Sequence, residues 1–182
     1  KHFIASNGKM AFTYATAVGK TIQSSEIWKR PSKSLTGVCH VTVPTDTLKL
    51  QWEEKLIEHS IERVKVYVVH SYLKRMEEVP ELLICDECHI GICNPETEIS
   101  KVNHLDVKYK IYLSATLKKD QLKYLASIGI PNSFNISLNE AVLLDLVPPF
   151  RIINIPIQLT IQEQLAYVNC ADGEAKAKKY FT

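Results

Sequence analysis

The sequence predicts an α/β domain built on a mostly parallel sheet. Short apolar runs alternate with longer amphipathic ones along most of its length, and strands interleaved with helices build parallel sheets. Some of the short runs are apolar almost throughout, as in Leu82–Cys85 (LLIC), and Gly37–Val43 (GVCHVTV) departs from this only at His40 and Thr42. Strands covered on both faces read this way, whereas half-exposed antiparallel strands alternate. The chain has 182 residues, 46% hydrophobic and 23% charged, which suffices for one well-cored domain and argues against a disordered tail, a collagen-like repeat or a coiled coil.

The elements follow in order. Met10–Thr16 (MAFTYAT) is rich in aromatic and β-branched residues and reads as a strand. It runs through Ala17-Val18-Gly19-Lys20-Thr21 into a helix ending near Lys29, and Arg30–Ser34 is a polar break. Gly37–Val43 is the second strand. Asp46–Ser60 has helical spacing through Leu48, Trp52, Leu56 and Ile57. Lys65–Val69, Leu82–Cys85 and Tyr109–Leu113 are further strands. Helices are expected near Lys119–Ser127 and Ser137–Leu144, and a late strand over Arg151–Leu159. Thr160 is placed to cap a last helix, with Glu163 in capping-box position. Lys176–Lys179 is a short basic tail with little apolar content.

A net charge of +2 creates no uniform field that would announce a polyanionic partner, although a local basic surface fits within it. No apolar run approaches the ~18 residues of a membrane helix, and Lys1–Thr21 lacks the features of a signal peptide. Five cysteines are too few for a disulfide scaffold and odd in number. An intracellular protein with reduced thiols is expected: cytoplasmic, or in host cytoplasm for a phage protein.

Four motifs carry chemistry. In the first, Gly19-Lys20-Thr21 stands at a strand-to-helix turn. A helix N-terminus offers N–H groups and a favourable dipole to phosphates; lysine adds a positive charge at the β/γ phosphates, and the adjacent hydroxyl can ligate Mg²⁺. Tyr14 and Ala17 stand where related loops often carry glycine. In the second, the apolar run Leu82–Cys85 ends in Asp86-Glu87-Cys88-His89. It delivers two carboxylates to a strand's C-terminal end, where open α/β sheets bind ligands. Asp86 suits a Mg²⁺ ligand and Glu87 a group that orients or activates water. A rival use of this stretch is zinc, through Cys85, Cys88, Cys93, His89 and His104, but no second CxxC pair exists. Buried free thiols are the simpler reading. The third motif, Ile111–Thr116 (IYLSAT), is informative only by its position. The fourth, Val43-Pro44-Thr45 followed by Leu48, Gln51 and Trp52, ends a strand and starts a helix. Its amide and hydroxyl suit a polynucleotide phosphate, and Trp52 reads as core.

Taken in order, ATAVGKT, VPTDTLKLQW, ICDECH and YLSAT resemble motifs I, Ia, II and III of superfamily 2 helicases and translocases, with DECH belonging to the DEAD/DEAH/DExH group. The stretch SLNEAV with Val147-Pro148-Pro149, and the segment Ile155–Tyr167, are similar to DNA-acting members. The resemblance spans roughly residues 10–168. It implies a RecA-like three-layer αβα sandwich of the P-loop NTPase type over residues 1–168, with 169–182 a linker toward a second RecA-like domain. It further implies ATP and Mg²⁺ as cofactors. Ala17, Val18, Gly19, Lys20 and Thr21 would hold the nucleotide, Thr21 and Asp86 the metal. Lys20, Asp86 and Glu87 would be catalytic, with Glu87 the base. His89, Ser114 and Thr116 would couple hydrolysis to strand movement. Pro44, Thr45, Ser71 and Tyr72 would lie on the nucleic-acid side. The implied partner is nucleic acid, DNA before RNA, and no membrane. An RNA helicase domain and a non-catalytic RecA-like scaffold are the alternatives. Nothing after Tyr167 resembles motifs IV to VI, so the arginine finger of the family would come from the second domain.

Overall fold

The computed structural model describes residues 8–15, 18–29, 36–149, 151, 153, 155–156 and 158–164. The chain divides into two compact units, Lys1–Pro148 and Pro149–Thr182. In the first, the strands are β1 (Lys9–Tyr14), β2 (Cys39–Val43), β3 (Val64–Val68), β4 (Leu82–Cys85), β5 (Tyr109–Ser114) and β6 (Asn132–Ile136). The helices are α1 (Lys20–Lys29), α2 (Asp46–Glu58), α3 (Val69–Arg75), α4 (Lys119–Ser127) and α5 (Leu138–Leu143), with a 3-10 helix at Glu98–His104.

The six strands form one sheet in the order β3-β2-β4-β5-β1-β6, and every pairing is parallel. Burial follows that order. All residues of β2 and β4 are buried, as is all of β5 but Tyr109, whereas edge strand β3 buries Val66 alone. Within each inner strand alternation splits the side chains between two cores. Met10, Phe12, Val41, Leu82, Ile84, Ile111 and Leu113 join Trp28 of α1, Trp52 of α2 and Ala141 of α5 on one face. Ala11, Leu83, Cys85 and Tyr112 join Tyr72 of α3, Leu125 of α4 and Val102 of the 3-10 helix on the other. Two cores flanking one parallel sheet make a three-layer αβα sandwich. Each fully buried large apolar side chain is worth about 1.5–3 kcal/mol.

At Gly8 the backbone has φ +72°, and a Cβ there would stand 2.2 Å from the Tyr109 ring. Only glycine lets this turn enter β1 with its carbonyl accepting the Lys110 N–H at 2.8 Å.

Two sequence expectations are corrected here. No strand forms at the described residues of Arg151–Leu159; Pro156 offers no N–H donor to a ladder, and apolar content alone does not make a strand without a paired neighbour. The sixth strand is instead Asn132–Ile136, which pairs with β1. Ile57, counted with the buried face of α2, is 79% exposed, because one residue past Leu56 the helix has turned about 100° away from the core. In the second unit, Thr160 and Glu163 do form the expected capping box, each backbone N–H reaching the other's side chain at 2.8 and 3.3 Å. No helix among the described residues is long and apolar enough to cross a membrane.

The cysteines Cys39, Cys85, Cys88 and Cys93 are buried free thiols. Burial pushes Cys85 up to about 12 and Cys88 well above its ordinary value. Among the described residues no three His, Cys, Asp or Glu side chains are grouped to hold a metal.

Candidate functional site

The parallel registers bring three turns to one edge of the sheet. β1 pairs with β5 from Lys9↔Lys110 to Thr13↔Ser114, and β4 pairs with β5 up to Cys85↔Tyr112. The loop leaving β1, the turn after β4 and the end of β5 therefore share the C-terminal edge. From β1 the chain crosses to β2, and β6 lies on the other side of β1. Such a reversal of strand order is where open α/β sheets take ligands.

An open cavity of about 460 Å³ lies at this edge, lined by Gly19, Lys20 and Thr21, by Trp52 and other residues of α2, and by Asp86 and Glu87. Gly19 has φ +83° with open space beside it, a left-handed turn that starts α1. Its carbonyl accepts the Gln23 N–H, while the Val18 carbonyl accepts the Gln23 side chain. The first turn of α1 carries no acidic residue, and its N-terminal residues line the cavity, where its N–H groups and dipole favour an anion. Lys20 Nζ stands 3.7 Å from Glu87 Oε1 and donates to the Tyr14 carbonyl at 3.4 Å.

Asp86 continues the β4 ladder, its N–H reaching the Thr42 carbonyl at 2.9 Å. Its side chain is 6% exposed; Oδ2 accepts the Trp52 indole N–H at 2.7 Å and Oδ1 the Glu87 N–H at 2.9 Å. Burial raises its pKa, and these two bonds oppose the rise. Glu87 turns out of the strand at φ +46°, a conformation that costs of order 1–3 kcal/mol in a non-glycine residue and clusters at functional sites. The turn aims its carboxylate between Lys20 and His89, whose Nδ1 is 3.3 Å from Glu87 Oε2.

From His89 a hydrogen-bonded chain leads to the third motif. His89 Nδ1 and Ser114 Oγ are 2.9 Å apart, and Ser114 Oγ accepts the Thr116 N–H at 3.0 Å. Gln121 of α4 donates to the His89 carbonyl at 3.0 Å. Pro44 and exposed Thr45 follow β2, where the Thr45 hydroxyl caps α2 by accepting the Leu48 N–H at 3.3 Å. Ser71 lies in α3, its hydroxyl on the Val68 carbonyl.

Of the residues singled out from the sequence, Gly19, Lys20, Thr21, Asp86 and Glu87 share the cavity, and His89, Ser114 and Thr116 form one chain leading from it. Val18 is buried behind the turn, and Ala17 lies outside the described residues. Tyr72 is a correction: it is fully buried, with its hydroxyl 3.0 Å from His40 Nδ1, and has no surface to offer a strand. Its ring is needed to fill the core under β2, where burial also drives the His40 pKa down to about 4. The sequence reading gave Gln121 no role and, although it placed Trp52 in the core, did not foresee its bond to Asp86. Trp52 was visible within the fourth motif, but no sequence signal announces where a buried indole N–H points.

No family model and no curated protein sequence matches the chain. Solved structures do. The SWI2/SNF2 ATPase core of Sulfolobus solfataricus in complex with dsDNA superposes with a TM-score of 0.56 and 23% identity, covering 70% of this chain and 34% of that one. The UvsW helicase of bacteriophage T4 gives a TM-score of 0.56 and 16% identity, over 70% of this chain and 54% of that one. The Hef helicase domain of Pyrococcus furiosus gives 0.57 and 14%, over 76% and 38%. The fold is thus a RecA-like α/β sandwich of the kind seen in these helicase and ATPase structures. The chain spans between a third and about half the length of these structures.

Proposed function

We propose that this chain is the first motor domain of a superfamily 2 helicase or translocase, binding ATP with Mg²⁺ and coupling hydrolysis to movement on nucleic acid. The observation that carries the reading is the convergence of Lys20, Asp86 and Glu87 on one cavity at the N-terminus of α1. The N–H groups of Gly19, Lys20 and Thr21 and the Lys20 ammonium suit a polyphosphate. Asp86 and the Thr21 hydroxyl are hard oxygen donors. They are too few to cage a cation alone, which suits Mg²⁺, an ion that keeps waters and shares phosphate oxygens. Bound there, the metal would neutralise developing phosphate charge. Glu87 would accept a proton from the attacking water while Lys20 balances its charge.

The His89–Ser114–Thr116 chain supports coupling, because it joins the Glu87 turn to the end of β5 by direct polar contacts. Pro44, Thr45 and Ser71 are the residues assigned to nucleic acid, which would be gripped through its phosphates in contacts that salt weakens. DNA is favoured: the S. solfataricus core was solved on dsDNA. A second RecA-like domain is required for efficient turnover, since an arginine from it would stabilise the transition state.

Titration of fluorescent ADP into this chain is expected to saturate and to tighten when Mg²⁺ is present, with ATP turnover slow. Absence of binding by the folded chain would refute the reading. Robust DNA-stimulated hydrolysis by the chain alone would overturn the need for a second domain.

A further inference from the structure

The two tryptophans of the chain are both buried, and their indole N–H groups are satisfied in different ways. Trp28 donates to a main-chain carbonyl, that of Glu62, at 3.0 Å, the ordinary solution for an indole in a core. Trp52 donates at 2.7 Å to the Oδ2 atom of Asp86. Trp52 is 2% and Asp86 6% exposed, so the bond is sheltered from water, where a charge-assisted hydrogen bond is strong and geometrically demanding. The ring is buried on α2 within the core cluster that holds side chains of β2 and β4, so the donor is fixed by the core and not by a mobile side chain.

The carboxylate is thereby held at both oxygens. Oδ1 is tied to the Glu87 N–H at 2.9 Å and Oδ2 to the indole, and the plane of the group is set with respect to the cavity that both residues line. Each oxygen retains lone-pair capacity after accepting one hydrogen bond. We propose that Trp52 is a positioning residue for the metal site, orienting the Asp86 carboxylate through its indole N–H so that the free lone pairs face the incoming cation. Outer partners of this kind fix metal ligands elsewhere, and their loss typically costs 10–100-fold in metal affinity. The inference rests on the reading of Asp86 as a Mg²⁺ ligand.

Trp52→Phe keeps a ring in the core and removes the donor. Fluorescent ADP titrated with and without Mg²⁺ separates the metal's contribution from the phosphate loop's. In the variant the Mg²⁺ enhancement is expected to fall about tenfold, a typical loss for a removed outer partner, while metal-free affinity stays within about twofold. A purely structural role would lower both affinities together and would overturn the proposal, as would an unchanged enhancement. If the wild-type chain bound nucleotide with no Mg²⁺ enhancement, the metal site itself would be refuted, a result distinct from failure of the variant. Should Trp52→Phe not fold, the emission of Trp52 alone, read in Trp28→Phe, decides the matter. Mg²⁺ added to the ADP complex shifts that emission if the indole shares the metal's ligand, and a flat response overturns the proposal.

Discussion

Lys20→Ala is expected to weaken nucleotide binding by about 100-fold. Lys20 is the cation at the mouth of the α1 turn, 12% exposed on its side chain and 3.7 Å from Glu87. A charge-assisted bond from a poorly hydrated ammonium to a phosphate contributes about 2–3 kcal/mol, and every 1.4 kcal/mol is about tenfold in affinity. The fold should survive. The partner carboxylate of Glu87 is a quarter exposed, so the lost ion pair costs about 1 kcal/mol or less. Titration with fluorescent ADP and a thermal melt separate the two effects. Lys20→Arg is expected to recover only part of the loss, because a planar guanidinium does not occupy the point-charge position of an ammonium.

Asn103→Ala is expected to destabilise the domain by about 3 kcal/mol. Asn103 joins three elements in the core beneath β5. Its Nδ2 donates to the Ile92 carbonyl at 2.8 Å and to the Tyr124 hydroxyl at 3.2 Å, and its Oδ1 accepts the Tyr112 hydroxyl at 2.8 Å. Its carbonyl accepts Lys110 Nζ at 2.7 Å, a buried lysine whose pKa is lowered by that burial. Alanine keeps the carbonyl but strands the Tyr112 hydroxyl and the Ile92 carbonyl, each costing about 1–3 kcal/mol when buried and unpaired. The melting temperature should fall by about 6–12 °C for a domain of this size. A fall of under about 2 °C would show that water enters to satisfy these groups.

The sequence made most of the sheet legible for a physical reason. Inner strands such as Leu82–Cys85 are buried on both faces, so their apolar content is dictated locally. Edge strands are not. β6 (NSFNI) is mostly polar and becomes a strand only by pairing with β1, a fact absent from its own residues. The short helix α3 follows β3 with no intervening break, so the apolar run through Val68 and Val69 hides the change of structure. At the candidate site, the residue types and their order were enough to assemble the cavity, because a strand's end in a parallel sheet fixes which edge its next residues occupy. Trp52 is core, as the sequence reads it, whereas Tyr72, expected on the nucleic-acid side, is core as well. Both are large rings with a polar atom, and only packing decides whether that atom meets solvent, another core group, or a carboxylate.

The claim at the centre of this account is that the α1 turn and the Asp86-Glu87 turn are two halves of one nucleotide site. A crystal structure of the chain with ADP and Mg²⁺ tests it most directly. The account predicts the β-phosphate on the N–H groups of Gly19 to Thr21 beside Lys20, with the cation between that phosphate and Asp86. Nucleotide bound elsewhere, or phosphates held without Lys20 and Asp86, would contradict it.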